Sequence, residues 1–320
     1  MSQGGNMACC AKAKKQEIPV FFAADENYLP FLDVCLRSLK ENASKKYAYK
    51  IYVLSSGVRE SATERLMKQE EKDFTIEFVD VTKHLEEVSQ FFQLRDYYTG
   101  AIYYRLFICG MFPQYDKALY MDCDTVLLGD VAELYNTELG DNLIGAVVDS
   151  AVASVKEFQD YTKAVLDIDG DKYFNSGVIL MNLKKFREVN FYDKFYHILK
   201  SYDFVVAPDQ DVLNLICKDK VLFLDEVWNR MPIHGEYGAA PKLIHYNLTM
   251  KPWHYDDVLY QEYFWRYAKQ SEYYEDILAN QKAFTPEMAQ KDADGARCLI
   301  ELCVKEAASD DNYYCRYLKK

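Results

Sequence analysis

Two carboxylates, Asp122 and Asp124, stand at the end of an apolar run in ALYMDCDTVLLGD, residues 118–130. Burying an unpaired charge is costly, so we expect both side chains to lie beyond the end of a buried strand. Carboxylate oxygens suit Mg²⁺ or Mn²⁺ ions that carry the phosphates of a substrate, whereas a turn or helix cap is the structural alternative. The apolar run and a third acid, Asp130, favour the metal interpretation. Asp130 itself is predicted to be a turn or cap residue.

Two functions are compatible with the Asp-x-Asp pair. DCDTVL is similar to the opening motif of haloacid-dehalogenase-type phosphatases, in which the first Asp, here Asp122, attacks phosphorus. In those enzymes the motif usually follows the first strand and has Gly after the second Asp. Here it follows the fourth predicted strand, and Thr125 stands in that place. The other function is a nucleotide-sugar glycosyltransferase, in which the pair holds a metal ion on the donor diphosphate.

The elements that must position these acids alternate between strand and helix in the first half of the chain. Apolar patterning predicts strands at 18–24, 49–56, 74–81 and 118–122, and helices at 29–41, 59–71 and 99–110. Such alternation is typical of an α/β fold, with a mostly parallel sheet covered by helices on both faces. Ligands bind such sheets beyond the carboxyl ends of the strands, where the strand order reverses. Asp25 and Asp122 both follow predicted strands, so they are expected at the carboxyl ends of the strands, where such ligands bind.

The second half of the chain keeps this pattern less strictly. It is predicted to contain strands at 142–149, 173–183 and 242–246, and helices at 191–201, 209–217, 258–282 and 294–307. We therefore divide the chain into a flexible leader (1–16), an α/β domain (17–257) and a helical C-terminal extension (258–320). Packing on the main domain is the simplest role for the extension, with docking to a lipid carrier or a second subunit as the alternatives.

Composition narrows the classes of function. A net charge of −12 over 320 residues repels phosphate backbones, which argues against nucleic acid as a partner. Nine cysteines form no Cys-x-x-Cys pair, which favours a reducing compartment over a disulfide framework or a zinc site. The first 16 residues do not read as a signal peptide, and no apolar run approaches the length of a membrane helix. These features predict a cytoplasmic protein, with contact at the inner membrane surface and oligomer formation left open.

Six motifs carry a resemblance to a known family. FFAADENY, YYRL, ALYMDCDTVLLGD, YFNSGVILMNLKKFR, DQDVLN and HYNLTMKPWH occur in this order. In order and kind they resemble the family 8 glycosyltransferases, which include lipopolysaccharide galactosyltransferases and, more distantly, glycogenin. The resemblance implies a GT-A fold, a UDP-sugar donor, Mn²⁺ and retention of anomeric configuration. It favours the transferase over the phosphatase, and over a catalytically silent module that binds a UDP-sugar.

The resemblance also implies a metal and diphosphate site. Asp122 and Asp124 are similar to the family's metal carboxylates, and His245 is similar to its third protein ligand for Mn²⁺ or Mg²⁺. Lys251 resembles the lysine that contacts the diphosphate, so that the ion and one Lys offset the charge of departing UDP. The family often has Gly where this chain has Leu248, which puts in doubt how closely the loop wraps the donor.

The remaining motif residues resemble groups that bind the nucleoside and the sugar. For the nucleoside end they are Ala23, Ala24, Asp25, Asn27 and Tyr28. For the sugar and the rest of the donor they are Arg105, Cys123, Asp149, Asn175, Ser176, Gly177, Asp209 and Gln210.

The implied reaction is retaining transfer of a hexose, glucose or galactose, to a glycan, glycolipid or protein-linked sugar. The family position near the anomeric carbon corresponds to Gln210, a poor nucleophile. We therefore expect attack on the face that the leaving group departs from, with the departing phosphate taking the acceptor's proton. Asp209 and Asp149 are the alternative residues for a covalent step. The Gly- and Pro-containing segment 232–241 is a candidate border of the acceptor cleft.

Overall fold

A computed structural model gives the fold for residues 15–88 and 100–319. Most of the predicted leader and the first residue of the predicted helix 99–110 therefore lie outside the described residues. Nine strands are present in these ranges: β1 (Glu17–Ala23), β2 (Ala48–Ser55), β3 (Phe74–Asp80), β4 (Ala118–Met121), β5 (Thr125–Leu127), β6 (Ile144–Val148), β7 (Phe174–Met181), β8 (Val221–Phe223) and β9 (Leu243–His245).

The same residues form thirteen α-helices and several shorter turns of helix. The α-helices are α1 (Leu29–Asn42), α2 (Glu60–Met67), α3 (Thr82–Val88), α4 (Ile108–Met111), α5 (Val131–Tyr135), α6 (Ser150–Ser154), α7 (Lys156–Leu166), α8 (Leu183–Glu188), α9 (Phe191–Ser201), α10 (Pro208–Cys217), α11 (Gln261–Ala268), α12 (Tyr274–Ala283) and α13 (Pro286–Ala307). The 3₁₀ helices are Glu26–Tyr28, Gly100–Phe107, Gly170–Lys172 and Glu226–Trp228, and a π-helix spans Tyr314–Leu318.

Seven strands form one sheet in the order β3-β2-β1-β4-β7-β6-β8, and β5 pairs with β9 in a second, two-stranded sheet. Four of the six pairings in the large sheet are parallel, and β7 runs antiparallel to both of its neighbours. The mostly parallel α/β sheet predicted from the sequence is confirmed, and it is the sheet of a GT-A fold. Strand order reverses at β1, because β2 and β3 extend on one side of it and β4 lies on the other.

Helices cover both faces of the sheet, which buries alternate side chains of each central strand in separate cores. In β4, Leu119 and Met121 belong to the core that includes α1, whereas Tyr120 faces the core that includes α7, α9 and α10. Period-two alternation along a strand requires this division.

Several predicted boundaries are wrong for local reasons. Residues 100–107 form a 3₁₀ helix rather than the start of an α-helix, and only Ile108–Met111 is α-helical. The predicted helix 258–282 is two helices, α11 and α12, with a break at 269–273. The predicted helix 294–307 begins at Pro286, because Thr285 caps its N-terminus through a hydrogen bond from the Met288 amide.

The C-terminal helices pack on both faces of the sheet. Phe264 of α11 and Ile277 of α12 join the core around α1, while Cys303 of α13 is buried in the opposite core beside α7. The seven described cysteines are free, and five of them are buried. Among the described residues, no helix is long and apolar enough to cross a membrane.

Candidate active site

The carboxyl ends of β1 and β4 open into one cavity of about 290 Å³. Asp25 follows β1, and Asp122 follows β4 after a tetrapeptide strand that is entirely buried. Asp122 and Asp124 therefore stand just beyond the core, as their charge requires. The sequence prediction that both acidic stops lie where the strand order reverses agrees with the sheet topology.

Pairing between β5 and β9 places His245 beside the two aspartates. Thr125 is opposite His245 in the antiparallel register, and the Tyr246 amide donates to the Asp124 carbonyl at 2.9 Å. His245 Nε2 lies 3.2 Å from Asp124 Oδ1 and 3.7 Å from Asp122 Oδ2. One ligand atom of each of these three residues lies within 4.8 Å of the others. Two carboxylates and one imidazole at such separations are a donor set for a divalent cation.

The buried Asp124 carboxylate is paired on one oxygen only. Lys251 Nζ donates to Oδ2 and also to the Tyr246 carbonyl, the latter at 2.6 Å, whereas Oδ1 is buried with no hydrogen-bond partner among the described residues. Burial alone would raise the pKa of Asp124, but the neighbouring ammonium of Lys251 opposes burial, and the pKa of Asp124 is lowered. Asp124 is therefore an anion with an unused oxygen that faces His245, a position that a metal ion would satisfy.

A chain of amide hydrogen bonds fixes the tautomer of His245. The Gly177 amide donates to Asn175 Oδ1 at 3.0 Å, which turns the Asn175 amide nitrogen toward Asp149. Asn229 Nδ2 also donates to Asn175 Oδ1, at 2.9 Å, so that Asn229 Oδ1 faces His245 Nδ1 at 2.9 Å. Since Asn229 Oδ1 can only accept, the His245 proton resides on Nδ1. The lone pair of Nε2 is then directed at the carboxylates, as in a metal-binding histidine.

Arg105 connects Asp122 to the residues of β7. Its Nη2 donates to Asp122 Oδ1 at 2.9 Å, its Nη1 donates to the Ser176 carbonyl, and its Nε lies 3.4 Å from Asp209 Oδ2. Burial raises the pKa of Asp209, although Arg105 opposes this effect. Tyr120 donates to the same Asp122 oxygen at 2.8 Å. Asp122 is thus held by two donors through one oxygen, which leaves the other oxygen facing His245.

Asp149 and Gln210 line the cavity and are hydrogen-bonded to each other. Asp149 caps α6 by accepting from the Ala151 and Val152 amides at 3.0 Å each. Its other oxygen accepts from Asn175 Nδ2 at 3.0 Å and from Gln210 Nε2 at 3.1 Å. Gln210 Oε1 in turn accepts from the Ser176 amide at 2.8 Å.

The cavity is lined by every residue that the resemblance assigns to the metal ion, the diphosphate, the nucleoside or the sugar, except Asn27. Asn27 is exposed and is not among the residues that line the cavity, although its amide donates to Asp25 Oδ1 at 2.9 Å. Asp130 caps α5 and accepts from the Tyr49 hydroxyl at 2.6 Å, which agrees with the predicted cap. Among the described lining residues, none comes from segment 232–241.

Other residues of the site were missed in the sequence. Tyr120 had a local signal, because it is two residues before Asp122 and so lies on the same side of the strand. Asn229 had no such signal in the sequence, because it lies outside the motif HYNLTMKPWH that contains His245. The C-terminal extension also reaches the cavity through Gly295, Ala296 and Leu299 of α13.

Residues 19–257, most of the chain, match the sequence profile described as Glycosyl transferase family 8. The chain belongs to this family. A lipopolysaccharide 1,2-glucosyltransferase of Escherichia coli (strain K12) is 30% identical to this chain over 257 residues. The matched residues cover 73% of this chain and 72% of that protein.

Two solved structures have the same fold and are 26% identical to this chain. The galactosyltransferase LgtC, in complex with donor and acceptor sugar analogues, gives a TM-score of 0.68 and covers 80% of this chain and 96% of its own. The bifunctional glycosyltransferase WbbM gives a TM-score of 0.73 over 85% of this chain. This chain spans about half of WbbM, 53% of its length.

Family 8 membership identifies the protein as a glycosyltransferase, which acts on a sugar donor and a saccharide acceptor. The phosphatase interpretation of Asp122 has no support from these matches. The cavity that holds Asp122, Asp124 and His245 lies within the matched residues, apart from the wall that α13 contributes.

Proposed function

We propose that the protein transfers a hexose, glucose or galactose, from a UDP-sugar to a saccharide acceptor with retention of configuration. Glucose and galactose are the sugars named for the glucosyltransferase and galactosyltransferase relatives. The observation that carries the proposal is the unpartnered Asp124 oxygen facing the Nε2 lone pair of His245. A divalent cation on a donor diphosphate would coordinate both of these acceptor atoms.

Asp122, Asp124 and His245 would hold Mn²⁺ or Mg²⁺. When bound, the ion would neutralise charge that develops on the diphosphate leaving group. Lys251 supports the same role, because its ammonium is almost completely buried at the cavity and its only acceptors among the described residues are Asp124 and the Tyr246 carbonyl. A buried ammonium of this kind favours an anionic ligand beside it.

The nucleoside would bind at the end of the cavity next to β1. Ala23 and Ala24 present backbone and small side chains there, and Tyr28 offers a ring for stacking on uracil. Asp25 accepts from the Asn27 and Tyr28 amides through Oδ1, so its Oδ2 is the oxygen directed to a donor group on the ligand. Because Asn27 is exposed, we assign it no contact with the nucleoside and place it only in the loop at the β1 end of the cavity.

The hexose would lie between Arg105 and the Asp149–Gln210 pair. Gln210 is oriented by the Ser176 amide and by Asp149, which fixes its side chain at the cavity surface. Both oxygens of Asp149 are engaged in hydrogen bonds, and Asp209 is close to Arg105. These contacts support attack of the acceptor on the same face as the departing phosphate, rather than a glycosyl-enzyme on either aspartate. Detection of a sugar bound to Asp209 or Asp149 by mass spectrometry would contradict this step.

A UDP-release assay with a panel of UDP-sugars tests the proposal. With Mn²⁺ and no acceptor, we expect slow release of UDP from UDP-glucose or UDP-galactose, and faster release when a saccharide acceptor is added. Asp124→Ala should abolish this release and the binding of Mn²⁺, measured by electron paramagnetic resonance of the free ion. Asp130→Ala is the matched control, because Asp130 lies six residues away and caps α5 outside the cavity.

The outcomes separate the proposed function from its alternatives. Mn²⁺ and UDP-sugar binding without UDP release would indicate a catalytically silent binding module. Full turnover in Asp124→Ala would rule out the metal assignment, and inactivity of Asp130→Ala in a folded protein would show that the assay does not report on this cavity.

A further inference from the structure

Several of the side chains that line the cavity are apolar and share one hydrophobic core. We define this apolar wall as Ile102, Val152, Phe158, Val206 and Leu299. Val206 belongs to the hydrophobic core on the α7 face of the sheet, and the other four pack against it. They come from five segments of the chain, so their convergence is a property of the fold and not of one motif.

Three hydroxyls that line the cavity donate their hydrogens within the protein. The hydroxyls of Tyr161 and Tyr173 both donate to Asp211, at 2.7 and 2.6 Å. The Thr162 hydroxyl donates to the Gln159 carbonyl at 3.1 Å. Each hydroxyl carries one hydrogen, and in these contacts that hydrogen is used within the protein.

Helix α13 contributes Leu299 to the wall, with Ala296 beside it at the cavity surface. Hydrogen bonds fix the helix in place at both ends: Tyr255 donates to Asp292 at 2.7 Å, and Tyr202 donates to Glu306 at 2.6 Å. Residues 286–307 lie beyond the segment that matches the family, so Leu299 is the wall residue that the C-terminal extension contributes, whereas the other four lie within the matched segment.

A saccharide is poorly matched to the apolar wall. Burying a sugar hydroxyl without a hydrogen-bond partner costs free energy, while an alkyl or aromatic group gains free energy from the same burial. The polar groups suited to a sugar, such as Arg105, Asn175 and Gln210, line the same cavity. We propose that the apolar wall binds an apolar aglycone, alkyl or aromatic, of the saccharide acceptor. This inference rests on the proposed function, because it places the acceptor next to the transferred sugar.

The test compares acceptors that differ only in the aglycone. Methyl glucosides and galactosides are compared with their octyl and phenyl counterparts, below the micellar concentration and with UDP and Mn²⁺ present. Calorimetry gives the Kd of each glycoside, and UDP release gives KM and kcat. We expect octyl or phenyl glycosides to bind at least about ten-fold more tightly than the methyl glycosides, with the larger gain identifying the preferred class.

Ala296→Asp and Ala293→Asp form a matched pair of variants. Both alanines are exposed on α13, but only Ala296 lines the cavity. Ala296→Asp should reduce the preference for apolar aglycones to less than about three-fold, because a charge then lies beside Leu299 at the cavity surface. Ala293→Asp should behave as the wild type.

Equal affinity for methyl, octyl and phenyl glycosides would overturn the inference. An aglycone preference that Ala296→Asp and Ala293→Asp both leave intact would overturn it as well, because binding would then occur elsewhere. Loss of UDP release from every donor would count against the proposed function alone, because calorimetry still reports the aglycone preference directly.

Discussion

A Cβ atom added at Gly177 would lie 2.2 Å from Cε1 of His245 and 2.6 Å from Oδ2 of Asp122. The glycine is buried inside β7, where a side chain is normally favoured, so its absence has a local cause. Two of the three proposed metal ligands occupy the space that the side chain would need. The sequence resemblance placed Gly177 among the donor-binding residues, and the structure shows that His245 and Asp122 approach it closely.

We therefore predict that Gly177→Ala lowers Mn²⁺ affinity by more than about ten-fold, because His245 and Asp122 must both move. Electron paramagnetic resonance of free Mn²⁺ measures the loss. Gly110→Ala is the control, because a Cβ at Gly110 would meet nothing within 4 Å. Wild-type Mn²⁺ affinity in Gly177→Ala would show that these three residues are not the ligands.

Asn229 is predicted to act as a positioning residue for His245. Asn229→Leu removes the acceptor for Nδ1–H at similar side-chain volume, which frees the imidazole to adopt the other tautomer. Partners of this kind typically contribute 10- to 100-fold in metal affinity, so we expect a decrease of about that size. Mn²⁺ titration calorimetry provides the measurement.

The conservative variant Asn229→Asp separates this role from a purely structural one. Its carboxylate still accepts from Nδ1–H but loses the donor to Asn175. We expect Asn229→Asp to recover most of the Mn²⁺ affinity. If both variants bind Mn²⁺ equally weakly, the hydrogen bond to His245 is not what Asn229 contributes.

The sequence predicted the main sheet well because its strands are strongly patterned. The apolar run 118–121 is completely buried, and the helix predicted at 191–201 is found at Phe191–Ser201. Ordered motifs also located the part of the cavity around Asp122, Asp124 and His245, whereas the apolar wall lies outside those motifs. Among the residues assigned to a ligand from the sequence, Asn27 alone does not line the cavity, since a polar residue in a loop can cap the next turn or face solvent with no difference in local pattern.

Relationships that depend on pairing between distant segments could not be predicted. β5 reads as a continuation of the apolar run before it, yet it leaves the main sheet to pair with β9 and so positions His245. Asn229 reaches His245 only because three amide side chains form a chain of hydrogen bonds. Likewise, the placement of α13 at the cavity follows from packing against α7, which the periodicity of α13 alone does not reveal.

Leu248 has a left-handed backbone, with φ of 55°, at the position where family members often have Gly. An L-residue in this region costs roughly 1 kcal/mol, which glycine avoids. The Leu248 side chain is 44% exposed at the cavity, so its removal sacrifices little burial. We predict that Leu248→Gly raises the free energy of unfolding by up to about 1 kcal/mol in urea denaturation. Leu248→Ala, which keeps a Cβ, should give no such gain, and a gain in both variants would point to the side chain instead.

Asp211 should make stability depend on pH. Burial raises its pKa to about 7, even though the hydroxyls of Tyr161 and Tyr173 donate to the carboxyl. The unfolded chain releases this proton near pH 4, so the folded state binds more protons between about pH 4 and 7. The contribution of Asp211 protonation to the free energy of unfolding is then complete below pH 4 and is lost as the pH rises toward 7.

We predict that the free energy of unfolding falls more steeply between pH 5 and 8 in the wild type than in Asp211→Asn. The difference should be on the order of 2–3 kcal/mol, because the amide cannot ionise and resembles the protonated acid in shape. Urea denaturation at several pH values measures both slopes. Asp141→Asn removes the same charge from a side chain that is 88% exposed, and it should keep the wild-type slope. A parallel pH dependence in wild type and Asp211→Asn would mean that Asp211 is ionised throughout this range and that its two tyrosine donors outweigh its burial.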